Sequence, residues 1–207
     1  MKRTSLDLEQ HIFHSPNFRS VITEAVKFFR STPPVDLPPG EKFIGGGVYA
    51  LYYKGTFKYY KPLAKQNAKE FVQPIYVGKA VPPGWRTGRI SNSESMDLFR
   101  RLSEHAKSIM QAQNLNLVDF RCRFVILNEA EGDLIVPLEA ELIRVYSPIW
   151  NQVVDGFGNH DPGSGRYDQA TSEWDILHPG RTWTKNLRGV APVLKNIVAN
   201  VKAALVK

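Results

Sequence analysis

The stretch from Gly45 to Lys79 constrains this chain more than any other. It opens with Gly45-Gly46-Gly47-Val48-Tyr49 and closes with Tyr76-Val77-Gly78-Lys79. Val48, Ala50 and Tyr52 alternate with Tyr49, Leu51 and Tyr53, and Ile75-Tyr76-Val77 is bounded by Pro74 and Gly78, so each end reads as a short strand. Paired in one hairpin, the strands bring Tyr49 and Tyr76 to the same region. A strand tyrosine is ordinarily a half-buried packing residue, because an aromatic ring suits a pleated face. What the rest of the chain sets around the pair decides between packing and chemistry.

The 207 residues suffice for one sizeable domain, and we take 1–207 as a single unit. A formal net charge of +7 and a pI near 9.5 favour a polyanionic partner. Cys122 is the sole cysteine, which excludes an intrachain disulfide and a cysteine-based zinc site. The sequence has no apolar run of membrane-spanning length, and Met1-Lys2-Arg3-Thr4 lacks an apolar signal core. The expectation is a cytoplasmic protein with no membrane partner.

Phe18, Val21, Ile22, Ala25, Val26 and Phe29 predict an amphipathic helix over 17–31. The prolines 33, 34, 38 and 39, with Gly40, make a stiff connector, so 1–40 is an N-terminal helix laid on the core. The segment 54–72 carries Lys54, Lys58, Lys61, Lys65 and Lys69 with Phe57, Tyr59 and Tyr60 interleaved. Two readings stand: a phosphate-contacting insertion, or an edge strand protected by lysines. Arg86 and Arg89 lie in a proline- and glycine-rich loop with DNA in reach. Ser91 and Glu94 have capping-box spacing for a helix over 92–113. Its apolar stripe is Leu98, Phe99, Leu102, Ala106, Ile109 and Met110, with Arg101 and His105 stacked one turn apart on the margin.

Alternation of Val118, Phe120, Cys122, Phe124 and Ile126 with charged residues predicts a strand over 118–127 with one buried face. Pro137 suits the first position of a helix over 137–146. Glu139 falls in the middle of that helix's apolar face, where a carboxylate is costly unless paired or bound to a metal. A buried ion pair is one account, with Arg101 as the obvious partner. Residues 156–189 read as a long loop that holds Arg166, Arg181 and Lys185, ordered by Trp174 and Trp183. Val193, Leu194, Ile197, Val198, Val201 and Leu205 predict a C-terminal helix that completes the core or contacts a second subunit.

The order strand, strand, helix, strand, helix, with Tyr49, Tyr76, Arg101, Glu139 and Asn151 placed along it, resembles the GIY-YIG nucleases. Gly47-Val48-Tyr49 and Tyr76-Val77-Gly78 match the paired motifs for which that family is named. The interval between the tyrosines is longer than the family's usual spacing. The resemblance covers 45–151 and implies an α/β (α+β) fold: a ββαβα core with a small antiparallel or mixed sheet flanked by helices. It implies a site of two tyrosines, the helical arginine, one metal-binding glutamate and the later asparagine; His105 matches a histidine found in many members. Compact size and long insertions are similar to the type II restriction endonucleases of the family, and the likeness extends to the member that cuts CCGCGG. The implied partners are double-stranded DNA and a second copy of the chain, since a palindrome calls for a two-fold dimer.

The chemistry asks for these residue types on its own terms. Phosphodiester hydrolysis needs a deprotonated water, a charge clamp and help for the leaving oxygen. Glu139 suits one Mg²⁺ that keeps mostly water and phosphate ligands, with Mn²⁺ expected to substitute. Arg101 offers a bidentate fork to the phosphate. Tyr49 is the expected general base, assisted by His105; Tyr76 orients the water or the metal shell, and Asn151 supports the geometry from behind. Lys79 either touches phosphate or caps its strand. Arg166, Arg181 and Lys185 are the expected base-reading loop, because arginine bidentate to guanine is the commonest specific contact. Rival readings are a structure-specific repair nuclease of the same family and a non-catalytic DNA-binding module. An Asp…Glu-x-Lys site fails because Glu141, not lysine, follows Glu139-Ala140. A site built on Asn159-His160 lacks a preceding strand with a paired histidine.

Overall fold

β2 (Gly47–Tyr53) is a seven-residue strand with every residue buried. Such a strand must be covered on both faces, and its near-continuous apolar run is the sequence signature of that position. It pairs antiparallel with β3 (Tyr76–Ala80) on one side and β4 (Phe120–Ile126) on the other, and a two-residue β1 (Val35–Asp36) extends β4. The spatial order is β1-β4-β2-β3, which leaves β3 at one edge. The structure, a computed structural model, describes residues 6–82, 84 and 95–206.

One face of the sheet presents Tyr49, Leu51 and Tyr53 to α3 (Asp97–Gln111), through Leu98, Leu102, Ala106 and Ile109. The other presents Val48, Ala50 and Tyr52 to α1 (Phe18–Ser31) and α4 (Ile135–Tyr146), through Ile22, Val26, Phe29, Leu138 and Leu142. The sequence β2, β3, α3, β4, α4 is the expected ββαβα order in a mixed α/β fold with a small antiparallel sheet. Among the described residues no helix is long and apolar enough to cross a membrane.

Several boundaries differ from expectation for physical reasons. The lysine-rich segment is not an edge strand: a 3-10 turn (Lys58–Tyr60) runs into α2 (Lys61–Gln66), burying Tyr60 and Leu63 while all five lysines point to solvent. Its return to β3 is organised by buried Asn67, whose amide donates to the carbonyls of Tyr53 and Gln73 and accepts from the amides of Val72 and Gln73. Four bonds from one side chain replace the ladder that a strand would have supplied. β4 does not have a single buried face. Val118 sits in a 3-10 turn and is 69% exposed, Ile126 ends the strand at 38%, and Val125 packs on the opposite side. α4 starts at Ile135, so Pro137 lies within the first turn, where no backbone N–H is required. The capping pair Ser91 and Glu94 lies outside the described residues.

The C-terminal third is less loop-like than its glycines suggested. α5 (Ile149–Gln152) follows α4 directly, and α6 (Glu173–Leu177) lies beyond it. α7 (Leu194–Leu205) buries Ile197 and Val201 in the cluster that holds Trp150, Trp174 and Leu177, so its apolar face completes the core.

Candidate active site

The site lies at the β3 edge, where residues from both faces of the sheet meet. Tyr49 faces Gly78 across the β2–β3 ladder. A Cβ at position 78 would lie 2.5 Å from the Tyr49 hydroxyl oxygen and 2.9 Å from the Tyr76 ring. Glycine there is a packing requirement: it lets the two tyrosine rings approach to a centroid separation of 6.2 Å. The outer side of β3 would expose unpaired backbone. Asn151 fills that role, accepting from the Val77 amide and donating to the Val77 carbonyl, both at 2.8 Å. It thereby fixes the strand between Tyr76 and Gly78.

α3 brings Arg101 and His105 to the same place, one turn apart. His105 does not sit on a solvent margin. It is buried between Tyr49, Tyr76 and Phe157, with the Phe157 ring stacked on it at 4.6 Å. Burial first, then the positive charge of Arg101, holds its pKa well below the usual histidine range, so the ring is neutral. The Tyr49 hydroxyl lies 2.5 Å from His105 Nε2. For the neutral ring to accept the phenolic proton, its own N–H must sit on Nδ1. Burial also pushes Tyr49 well above the ordinary tyrosine pKa; Tyr76 adds to this and Arg101 opposes it. Tyr76 is raised as well, by burial first and against Arg101. Both are neutral phenols near neutral pH.

Glu139 rises from α4 on the other face, its side chain 15% exposed, and forms an ion pair with Lys79 of β3. The ion-pair alternative for Glu139 is thus met in part-buried form, with Lys79 in place of Arg101. Arg101 instead donates to Glu104 Oε2 at 3.1 Å, to the Gly158 carbonyl at 3.2 Å and to His160 Nε2. Lys79 neither caps its strand nor stands free for phosphate. The Glu139 charge raises both tyrosine pKa values, which marks it as part of the same electrostatic site. Among the described residues no three His, Cys, Asp or Glu side chains cluster as a metal cage. A single carboxylate with tyrosine oxygens nearby fits a hard cation that retains its waters, as Mg²⁺ does.

The DNA-contact candidates separate sharply. Arg181 is not a reading residue. It is 2% exposed, and its guanidinium donates to Asp175 Oδ1 (2.6 Å), Asp175 Oδ2 (2.7 Å) and the carbonyls of Gly156 (2.9 Å), Phe157 (3.2 Å) and Asn159 (2.8 Å). Those bonds use all five donors of the fork, and none remains for a base edge. Trp174 and Trp183 flank it at 4.6 and 4.9 Å. Arg166 and Lys185 are exposed, and Arg166 lines a polar cavity of about 350 Å³ together with Asn159, His160 and Trp183. Lys54 and Lys58 are exposed with their ammonium groups over Phe71 and Tyr59. Arg86 and Arg89 lie outside the described residues.

Sequence reasoning missed Phe157, Gly158 and Glu104. Glu104 had a signal, its i,i+3 spacing from Arg101. The other two had none, because they reach the site across a long sequence separation.

A family model described as the Eco29kI GIY-YIG domain matches residues 41–205. No curated protein matches the chain.

Proposed function

The chain belongs to the Eco29kI GIY-YIG domain family of restriction endonucleases and is a nuclease; from that premise we propose that it cuts both strands of duplex DNA at a short, G·C-rich palindrome, as a homodimer, with one divalent metal per site. The observation that carries this reading is the Tyr49–His105 hydrogen bond, set on the same sheet edge as Arg101 and Glu139.

In hydrolysis a water oxygen attacks phosphorus, the P–O bond to the leaving sugar oxygen breaks and that oxygen takes a proton from solvent, and a base takes the attacking water's proton. Tyr49 passes its hydroxyl proton to His105 Nε2 while its oxygen receives the proton of the water. His105 ends as imidazolium and Tyr49 is regenerated. Burial opposes this charge separation at both groups, so the step needs compensating positive charge. Arg101 supplies part of it and offers its fork to the scissile phosphate. Glu139 would hold Mg²⁺, which when bound contributes positive charge against the phosphate; Mn²⁺ should substitute. For that, Glu139 must exchange Lys79 for the metal, which leaves Lys79 free to meet DNA phosphate. Tyr76 orients the water or the metal shell, and Asn151 keeps β3 in place behind it. Exposed Lys54, Lys58, Arg166 and Lys185 supply sequence-independent attraction to the backbone.

The direct test is incubation of the purified protein with unmethylated plasmid DNA in Mg²⁺, in Mn²⁺ and in EDTA. Discrete, metal-dependent fragments are expected, and their ends give the site. A smear, or cutting of branched DNA without regard to sequence, points to a repair-type nuclease. A gel shift without any cutting sinks the catalytic reading.

A further inference from the structure

The segment 156–160 crosses from the C-terminal third to the active site and touches three of its residues. Phe157 stacks on His105. The Gly158 carbonyl accepts from Arg101 Nη2, and a Cβ at that position would lie 3.1 Å from Arg101 Nη2 and 3.2 Å from the Tyr76 hydroxyl, so the backbone is packed closely against both side chains. His160 Nε2 meets Arg101 Nη1, which also donates to Glu104 Oε2; that carboxylate oxygen is 3.7 Å from His160 Nε2. The loop is itself clamped. Arg181 binds the carbonyls of Gly156, Phe157 and Asn159 while Asp175 holds its other edge.

We propose that His160 is a positioning residue of the active site, acting through Arg101, and that the buried Arg181–Asp175 pair is the anchor that holds it there. An arginine on a helix swings on a flexible stem, and its i,i+3 partner Glu104 draws the fork along α3. A second acceptor, offered from a rigid loop, fixes the plane of the guanidinium instead. With Gly158 on Nη2 and His160 on Nη1, both terminal nitrogens are tied to one loop, and a fork fixed in advance loses little on meeting a phosphate. The acceptor role requires His160 Nε2 unprotonated with the ring proton on Nδ1. Arg181 then serves the reaction from a buried position and has no need of DNA contact.

This inference rests on the nuclease reading above, and the test separates the two. His160 is 61% exposed at its side chain, so His160→Ala should leave folding intact. Single-turnover cleavage should fall by ~10–100-fold, the scale of a misplaced catalytic group, with DNA affinity in EDTA changed less than ~3-fold. His160→Gln restores an acceptor and should recover most of the rate. In an Arg101→Ala background, His160→Ala should have no further effect, since its influence passes through that guanidinium. Full activity of His160→Ala, or an equal loss in the Arg101→Ala background, overturns the proposal. If the wild-type protein cuts no DNA, the nuclease reading falls and takes this one with it; if the wild type cuts and His160→Ala cuts equally well, only this one falls.

Discussion

The protein builds the same hydrogen bond twice. Tyr49 meets His105 Nε2 at 2.5 Å at the sheet edge, and Tyr60 meets His178 Nε2 at 2.6 Å in the C-terminal third. Both histidines are buried and both are pushed to low pKa mainly by burial, His178 to about 3. Both tyrosines are pushed up. The difference lies in what surrounds them. Trp150 donates to the Tyr60 hydroxyl at 2.8 Å, and His178 Nδ1 pairs with Asn114 Oδ1 at 2.8 Å, whose amide caps the Leu177 carbonyl. That chain is closed at each end by neutral groups. Tyr49 instead lies among Arg101, Tyr76 and the field of Glu139. On the function proposed above, the neutral, saturated neighbours make the Tyr60–His178 pair structural, and the charged ones make the Tyr49–His105 pair the candidate for proton transfer.

The sharpest way to break that comparison is to remove the charge. Glu139→Gln should abolish cleavage, by ~10³-fold or more as expected for loss of metal charge stabilisation, while folding and DNA affinity persist. Loss of fold together with activity would instead make Glu139 no more than the counter-ion of Lys79. Tyr49→Phe should slow cleavage by ~10²–10⁴-fold at nearly unchanged melting temperature. Tyr60→Phe should do the reverse. It leaves His178 Nε2 and the Trp150 N–H unpaired in the core, at about 1–3 kcal/mol for such a group, with the single-turnover rate of the folded protein preserved. A Tyr60→Phe enzyme that folds normally but cuts slowly would erase the distinction between the two pairs.

Arg181 extends the contrast from tyrosines to arginines. Truncating it to alanine strands Asp175 in the core, and breaking a buried pair in this way costs roughly 3–5 kcal/mol. Chemical denaturation should show that loss directly. A stable Arg181→Ala protein with relaxed cutting specificity would return Arg181 to the DNA-reading role that its sequence context suggested.

Why that role was suggested shows what a sequence carries. The resemblance to the GIY-YIG nucleases implied Tyr49, Tyr76, Arg101, Glu139 and Asn151 as one site, while the periodicities of 18–29, 98–110 and 138–146 and the glycine-flanked tyrosines placed five of the core elements. These are local signals, each set by spacing within one element. The partner of Glu139 was not legible, because Lys79 is sixty residues away and its reach depends on strand register. Nor was the fate of Arg181, which is decided by three backbone carbonyls that no residue type announces. The edge-strand reading of segment 54–72 failed for a different reason. The lysines do face solvent, but Tyr60 and Leu63 bury with helical spacing, and Asn67 replaces a strand ladder.

Acid should probe both histidine pairs at once. A buried histidine with a depressed pKa stays neutral in the fold while the unfolded chain takes up its proton below about pH 6.5, so stability declines as pH falls from there toward 3. At pH 5 the loss attributable to His178 is about 2 kcal/mol at ~1.4 kcal/mol per pH unit. Urea titrations at pH 7 and pH 5 measure it, and a variant with His178→Asn should show a shallower decline. An unchanged slope in that variant would mean that His178 does not remain neutral in the fold.

The smallest effects belong to the exposed cations, and they test the other half of the arginine comparison. Arg166 and Lys185 point to solvent, where a substitution removes charge without disturbing packing. If they meet the DNA backbone, each alanine variant should weaken binding uniformly across sequences and reduce the slope of log affinity against log salt by about 1. If Arg166 reads a base instead, its loss should relax specificity at one position of the site, by about 1–3 kcal/mol of discrimination, with little change in the salt slope. Fluorescence anisotropy across a salt series, on cognate and single-substituted duplexes, separates the two outcomes. Neither variant should lower the melting temperature, in contrast to Arg181, because a guanidinium with no buried partner leaves nothing stranded when it is removed.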